Sequence, residues 1–63
     1  MPAVLAPVYL SALNLASRAV LHRDRAEALR CLGIALRAAN AAKSAPHRRA
    51  VFRAMSFARR IEA

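Results

Sequence analysis

Few side chains in this sequence suit proton exchange or nucleophilic attack near neutral pH: the acids Asp24, Glu27 and Glu62, the histidines His22 and His47, and the lone thiol Cys31. Their spacing argues against catalysis. Asp24 and Glu27 stand three apart at the head of an amphipathic run, which is where an N-cap and an acid at the third helical position belong. Glu62 lies at the fraying end of the chain. Neither histidine has an acid or hydroxyl placed by spacing to orient it as a base. Arginines near Cys31 would lower its pKa, yet a single buried structural thiol is the commoner case. Gly33 is the only glycine, so no phosphate-cradling loop exists, and no cysteine and histidine spacing suits a structural metal. The expectation is a protein that is not an enzyme, with no catalytic residue, no metal, no small-molecule substrate and no cofactor of its own.

The charge points instead to binding. Ten arginines and one lysine oppose three acids, a net charge of +8 on 63 residues. Such a chain repels itself but is drawn to phosphate, anionic lipid or acidic protein. Arginine's planar fork pairs with two acceptor oxygens at once and tolerates partial burial, which suits lasting interfaces. A solvated surface shaped by codon usage is the plain alternative. At this length the chain forms one domain over residues 1–63 and buries only about 60% of its unfolded surface alone. With one cysteine there is no internal disulfide, and seventeen alanines favour helix while supplying little apolar area. The expected core is thin, and a partner is expected to complete it.

The elements that position these charges are helical. Apolar residues recur at three- and four-residue spacing over about 4–22, 25–43 and 46–61. The first inward arc holds Leu5, Val8, Tyr9, Ala12, Leu13, Leu15, Ala16, Ala19 and Val20. The second holds Ala28, Leu29, Leu32, Ala35, Leu36 and Ala39, and the third Ala50, Val51, Ala54, Met55, Phe57, Ala58 and Ile61. Asp24 and Ser44 are the expected N-caps, with Pro46 in the first turn after Ser44. Short links make neighbours antiparallel, so the predicted fold is all-α, three helices running up, down and up, either closed or splayed against a partner. The apolar stretch Ala3–Leu15 is too short and too interrupted to span a membrane.

Four residues break the pattern. Leu10 and Leu21 fall on the polar side of the first helix, Ile34 lies between Glu27, Arg30 and Arg37, and Phe52 sits among Arg48, Arg49, Ser56 and Arg59. Phe52 is either an interface anchor flanked by arginine, a common hot-spot pairing, or a core residue of a helix rotated about its axis. The candidate partner-binding residues are therefore Arg18, Arg30, Ile34 and Arg37, together with Arg48, Arg49, Phe52, Arg53, Arg59 and Arg60. Across that last face Phe52 could stack on an unpaired base while the arginines track a phosphate backbone, as in a ribosomal setting. A membrane surface is the less favoured anion.

The run Val8-Tyr9-Leu10-Ser11-Ala12-Leu13, continuing to Ser17-Arg18, resembles the first helix of the LYR-motif family of small three-helix mitochondrial proteins. Ala28-Leu29-Arg30-Cys31-Leu32, followed by Ala35-Leu36-Arg37, is similar to that family's second helix, and Pro46 is in keeping with the start of its third. The resemblance covers roughly residues 5–50. The chain departs from the family pattern at Leu10, which stands in place of the motif arginine, at Asn14 in place of arginine, and at Leu36 in place of phenylalanine. The resemblance implies an accessory or assembly subunit of a respiratory complex or mitochondrial ribosome, on the matrix side. It further implies docking of an acidic acyl carrier protein, whose acyl-phosphopantetheine would enter among the helices at about 0.8 kcal/mol per buried methylene. Arg30 and Arg37, then Arg18, are the arginines it would use. Composition favours a mitochondrial location, with the cytoplasm of a GC-rich bacterium as the alternative.

Overall fold

The computed structural model describes residues 7–62. Three helices follow in order: α1 Pro7–Leu21, α2 Arg25–Ala41 and α3 Ala45–Ala58. They are joined by three-residue links and run up, down and up as an all-α bundle. No strand occurs among the described residues. The first helix was expected from residue 4; that start, and Leu5 on its inward arc, lie outside the described residues.

Both links are built the same way. After α1, Arg23 N–H donates to Val20 O and Asp24 N–H to Ala19 O; after α2, Lys43 N–H donates to Asn40 O and Ser44 N–H to Ala39 O. The second residue after each of these two helices takes a left-handed conformation, φ 55° at Arg23 and 54° at Lys43. Together these are the paired bonds of a Schellman ending, with a long cation where glycine is usual. The helices accordingly stop at 21 and 41, one and two residues short of the sequence expectation. The third stops at 58 rather than 61, because Arg60 and Ile61 N–H groups turn back to Phe57 and Ala58 carbonyls three residues earlier.

The same geometry shapes the caps. Asp24 accepts a bond from Glu27 N–H at 3.1 Å, as an N-cap should. The reciprocal bond of a full capping box is absent because Asp24 N–H already serves Ala19, and Glu27 turns instead to Arg30. Ser44 holds the N-cap position of α3, but its hydroxyl makes no cap bond and is hydrogen-bonded to His47 Nδ1 instead. Pro46 lies in the first turn, where a missing N–H costs nothing.

The core is narrow and alanine-rich. Ala12, Ala16 and Ala19 of α1 are buried in one cluster with Ala28, Cys31, Ala35 and Ala39 of α2. Small side chains on both faces let the two helices approach closely. α2 is the middle helix, packed more extensively on α1 than on α3, while α1 and α3 scarcely touch. Val51 and Ala58 are the buried residues of α3. At one end of the molecule the Tyr9 ring, 3% exposed, meets the His47 ring edge-on at 5.3 Å between centroids.

That arrangement corrects the inward arcs of the outer helices. Val8 and Leu15 were expected inside and are exposed, as are Ala50 and Phe57 of α3. Each outer helix has one neighbour covering it rather than two, so its buried arc is narrower than its apolar arc. The middle helix has two neighbours, and its whole expected arc is buried or half-buried.

Candidate functional site

Because α1 and α3 scarcely touch, a groove of about 440 Å³ opens between them. Buried Ala16 and Leu32 form its floor, half-buried Leu13, Val20 and Ala54 its walls, and Leu21 and Phe57 its lips. The lips are 81% and 60% exposed, which leaves large apolar surface in water. Ser17 supplies the one hydroxyl in the lining. Val20 and Phe57 also border a second recess of about 420 Å³, whose remaining lining is Arg23, Arg60, Ile61 and Glu62. The two recesses adjoin at Val20 and Phe57, so the apolar trough borders a basic mouth at the carboxyl ends of α1 and α3.

Ordinary surfaces carry scattered apolar side chains singly, whereas a contiguous trough with exposed aliphatic and aromatic lips marks a binding surface. Nothing in the lining suits bond-making chemistry. Of the titratable groups with a displaced pKa, none lines the trough. Glu27 is held below the usual carboxylate range, first by its hydrogen bond from Arg30. Arg30 is raised by the same carboxylate, and burial pushes the Cys31 thiol up, helped by its bond to Glu27 Oε2 at 3.5 Å. No group of three or more histidine, cysteine, aspartate or glutamate side chains gathers among the described residues. Nor is any described helix long and apolar enough to cross a membrane.

The arginines divide into engaged and free. Arg30, expected as a leading contact for a partner, is held by Glu27 through two bonds, Nε to Oε1 at 2.8 Å and Nη2 to Oε2 at 2.5 Å. One turn of helix brings the pair together, so the charge of Arg30 is already balanced within α2. Arg48 donates to Asn40 Oδ1 at 3.4 Å, tying α3 to α2, and Arg25 donates to Ile61 O at 3.2 Å, tying the segment after α3 to the start of α2. Arg18, Arg37, Arg49, Arg53, Arg59 and Arg60 are exposed and make no side-chain hydrogen bond among the described residues.

The remaining sequence candidates separate in space. Ile34, expected on the surface as a partner contact, is half-buried and packed on the core cluster. At roughly 100° per residue it lies about 60° from Cys31 and about 100° from Ala35, on the shoulder of α2 that the alanine contact partly covers. Phe52 is 52% exposed, on the flank of α3 that carries Arg48 and Arg59, with Arg49 beyond. Phe57 lies on the opposite flank, toward α1, so the two phenylalanines serve different surfaces. In the LYR-like tripeptide Tyr9 is buried, whereas Val8 and Leu10 are exposed. Sequence reasoning missed Phe57 and Arg23 as members of a site. Leu21 was visible as a break in the pattern; Phe57 carried no such signal, since its place on the helical wheel is also that of a core residue.

No family model matches the chain, and no curated protein or solved structure matches it either.

Proposed function

We propose that this chain is a non-enzymatic accessory subunit, a small basic helical piece that docks an acidic protein within a larger assembly. The observation that carries the reading is the open trough: an apolar surface between two helices of one small protein, left uncovered, with Arg23 and Arg60 at its mouth. Burying such a surface against a partner gains roughly 25 cal/mol per Å² of apolar area, which a thin alanine core leaves room for. The resemblance to LYR-motif proteins gives this proposal its most specific form, a mitochondrial complex with an acyl carrier protein as the acidic partner. In that form Arg18 and Arg37 are the arginines left to meet the carrier, since Glu27 occupies Arg30.

A second reading, a basic protein set against ribosomal or other RNA, is favoured by one observation: Phe52 stands exposed on a helix that holds Arg48, Arg49 and Arg53 and no acid, with Arg59 just past its end. Tagged chain recovered from its own host separates the two. An acidic protein that survives nuclease treatment supports the accessory reading. Recovery that nuclease abolishes, and that Phe52→Ala weakens without loss of helicity, supports RNA. A free monomer with a cooperative thermal transition well above ambient refutes the claim that a partner completes the core.

A further inference from the structure

We infer that the trough between α1 and α3 receives one amphipathic helix of an acidic protein, lying parallel to α2 with carboxylates in its first turn against Arg23 and Arg60. The inference rests on the accessory reading and names the site and the shape of the partner.

The length of the apolar edge sets the occupant's form. Leu10, Leu13, Ser17 and Leu21 follow at three- and four-residue spacing on the groove side of α1, a span of about 16 Å at 1.5 Å per residue. Ala50, Ala54 and Phe57 make the facing edge on α3. A single hydrocarbon chain on the floor would leave Leu21 and Phe57 in water. A helix about 10 Å across, with apolar residues at three- and four-residue spacing, covers floor and both lips over three to four turns. Seated there it sits diagonally across from α2 and closes a four-helix arrangement, in which each helix runs antiparallel to its neighbours. Its neighbours are α1 and α3, so its direction is that of α2 and its amino end comes to the basic mouth.

Charge selects the partner. Arg23 and Arg60 line the mouth, and Glu62 is the single acid beside them. Carboxylates suit the first turn of a helix on their own account, because its free N–H groups and dipole favour negative charge there. A second copy of this chain fits poorly. α1 and α3 contain no acid, Glu27 of α2 is taken by Arg30, and two chains of +8 repel.

The test uses the full chain, isotopically labelled, titrated with a synthetic peptide of about 14 residues that has leucines at helical spacing and three glutamates in its first turn. Expected are amide shifts at Ser17, Leu21, Ala54 and Phe57, with a spin label on the peptide's amino end broadening Arg23 and Arg60 rather than His47. Lysine in place of the glutamates, Leu21→Asp, or Arg23→Glu combined with Arg60→Glu should each weaken binding about tenfold or more. Leu21 and both arginines are exposed, and circular dichroism checks that the variants stay helical. Equal binding of the lysine peptide, shifts centred on Phe52, displacement of the peptide by equimolar palmitate, or a dimer of the free chain that blocks the peptide would each overturn the inference. An acidic protein that still copurifies with Leu21→Asp from the host would sink the groove while leaving the accessory reading standing. Loss of every acidic partner from the unmodified chain would sink that reading itself.

Discussion

Replacing Lys43 by glycine should stabilise the protein, although it deletes a long side chain from a helix end. Lys43 sits at φ 54° with its N–H bonded to Asn40 O, the left-handed position that closes α2. A β-carbon in that conformation crowds the neighbouring carbonyl and costs about 1–2 kcal/mol, which glycine avoids. Against this, glycine gains freedom in the unfolded chain, worth about 0.4–1 kcal/mol. The net expectation is a gain of about 0.5–1 kcal/mol. A domain of 63 residues unfolds with roughly 2.1 cal/mol/K per residue, so the melting temperature should rise by about 4–8 °C. Arg23 at φ 55° predicts the same for Arg23→Gly, and the two sites lie at opposite ends of α2, so the gains should add. Thermal melts followed by circular dichroism measure this directly. Lys43→Ala is the control, because alanine removes the side chain but keeps the β-carbon. If Lys43→Gly melts no higher than Lys43→Ala, the left-handed ending is not what limits the stability of this link.

Three further outcomes follow from particular contacts. Gly33 lies within α2, and a β-carbon built there meets nothing within 4 Å, so Gly33→Ala should stabilise by about 1 kcal/mol in chemical denaturation. Cys31 is fully buried in the α1–α2 contact and its pKa is raised by that burial, so a thiol reagent at pH 8 should label the native chain far more slowly than the denatured one; equal rates would mean the alanine contact opens readily. The pKa of Glu27 is lowered in the folded chain by Arg30, so its stabilising effect is complete above the ordinary carboxylate pKa, about 4.3, and is lost as pH falls through its lower folded value. Melting temperature should drop over that interval, and Glu27→Gln should flatten the drop.

The sequence carried the helices well because each local signal acts within a few residues. Asp24 before Glu27, and Ser44 before Pro46, mark helix starts by chemistry that needs no tertiary partner, and both helices begin there. The arc of α2 was legible in full, from Ala28 to Ala39, because a middle helix is covered on two sides and nearly every apolar position finds a neighbour. The same rule failed on the outer helices. Val8, Leu15, Ala50 and Phe57 have the periodicity of core residues, yet periodicity reports which side of a helix is apolar and not whether another helix covers that side. The arginines failed differently. Arg30 and Arg37 share one stripe of α2, but Glu27 one turn earlier engages only Arg30. Ile34, bracketed by charges in sequence, is half-buried because the alanine contact spreads onto its shoulder of the helix.

From its sequence alone this protein had its fold class, its helix starts, its thin alanine core and its excess of positive charge, since all of these follow from residue type and spacing. Whether its helices close on each other or leave a trough was decided only in three dimensions. α1 and α3 are separated in the chain by the whole of α2, and their distance depends on how each seats on that middle helix. Close alanine packing draws α1 onto one flank of α2, α3 takes the other, and Leu21 and Phe57 are left facing each other across open space.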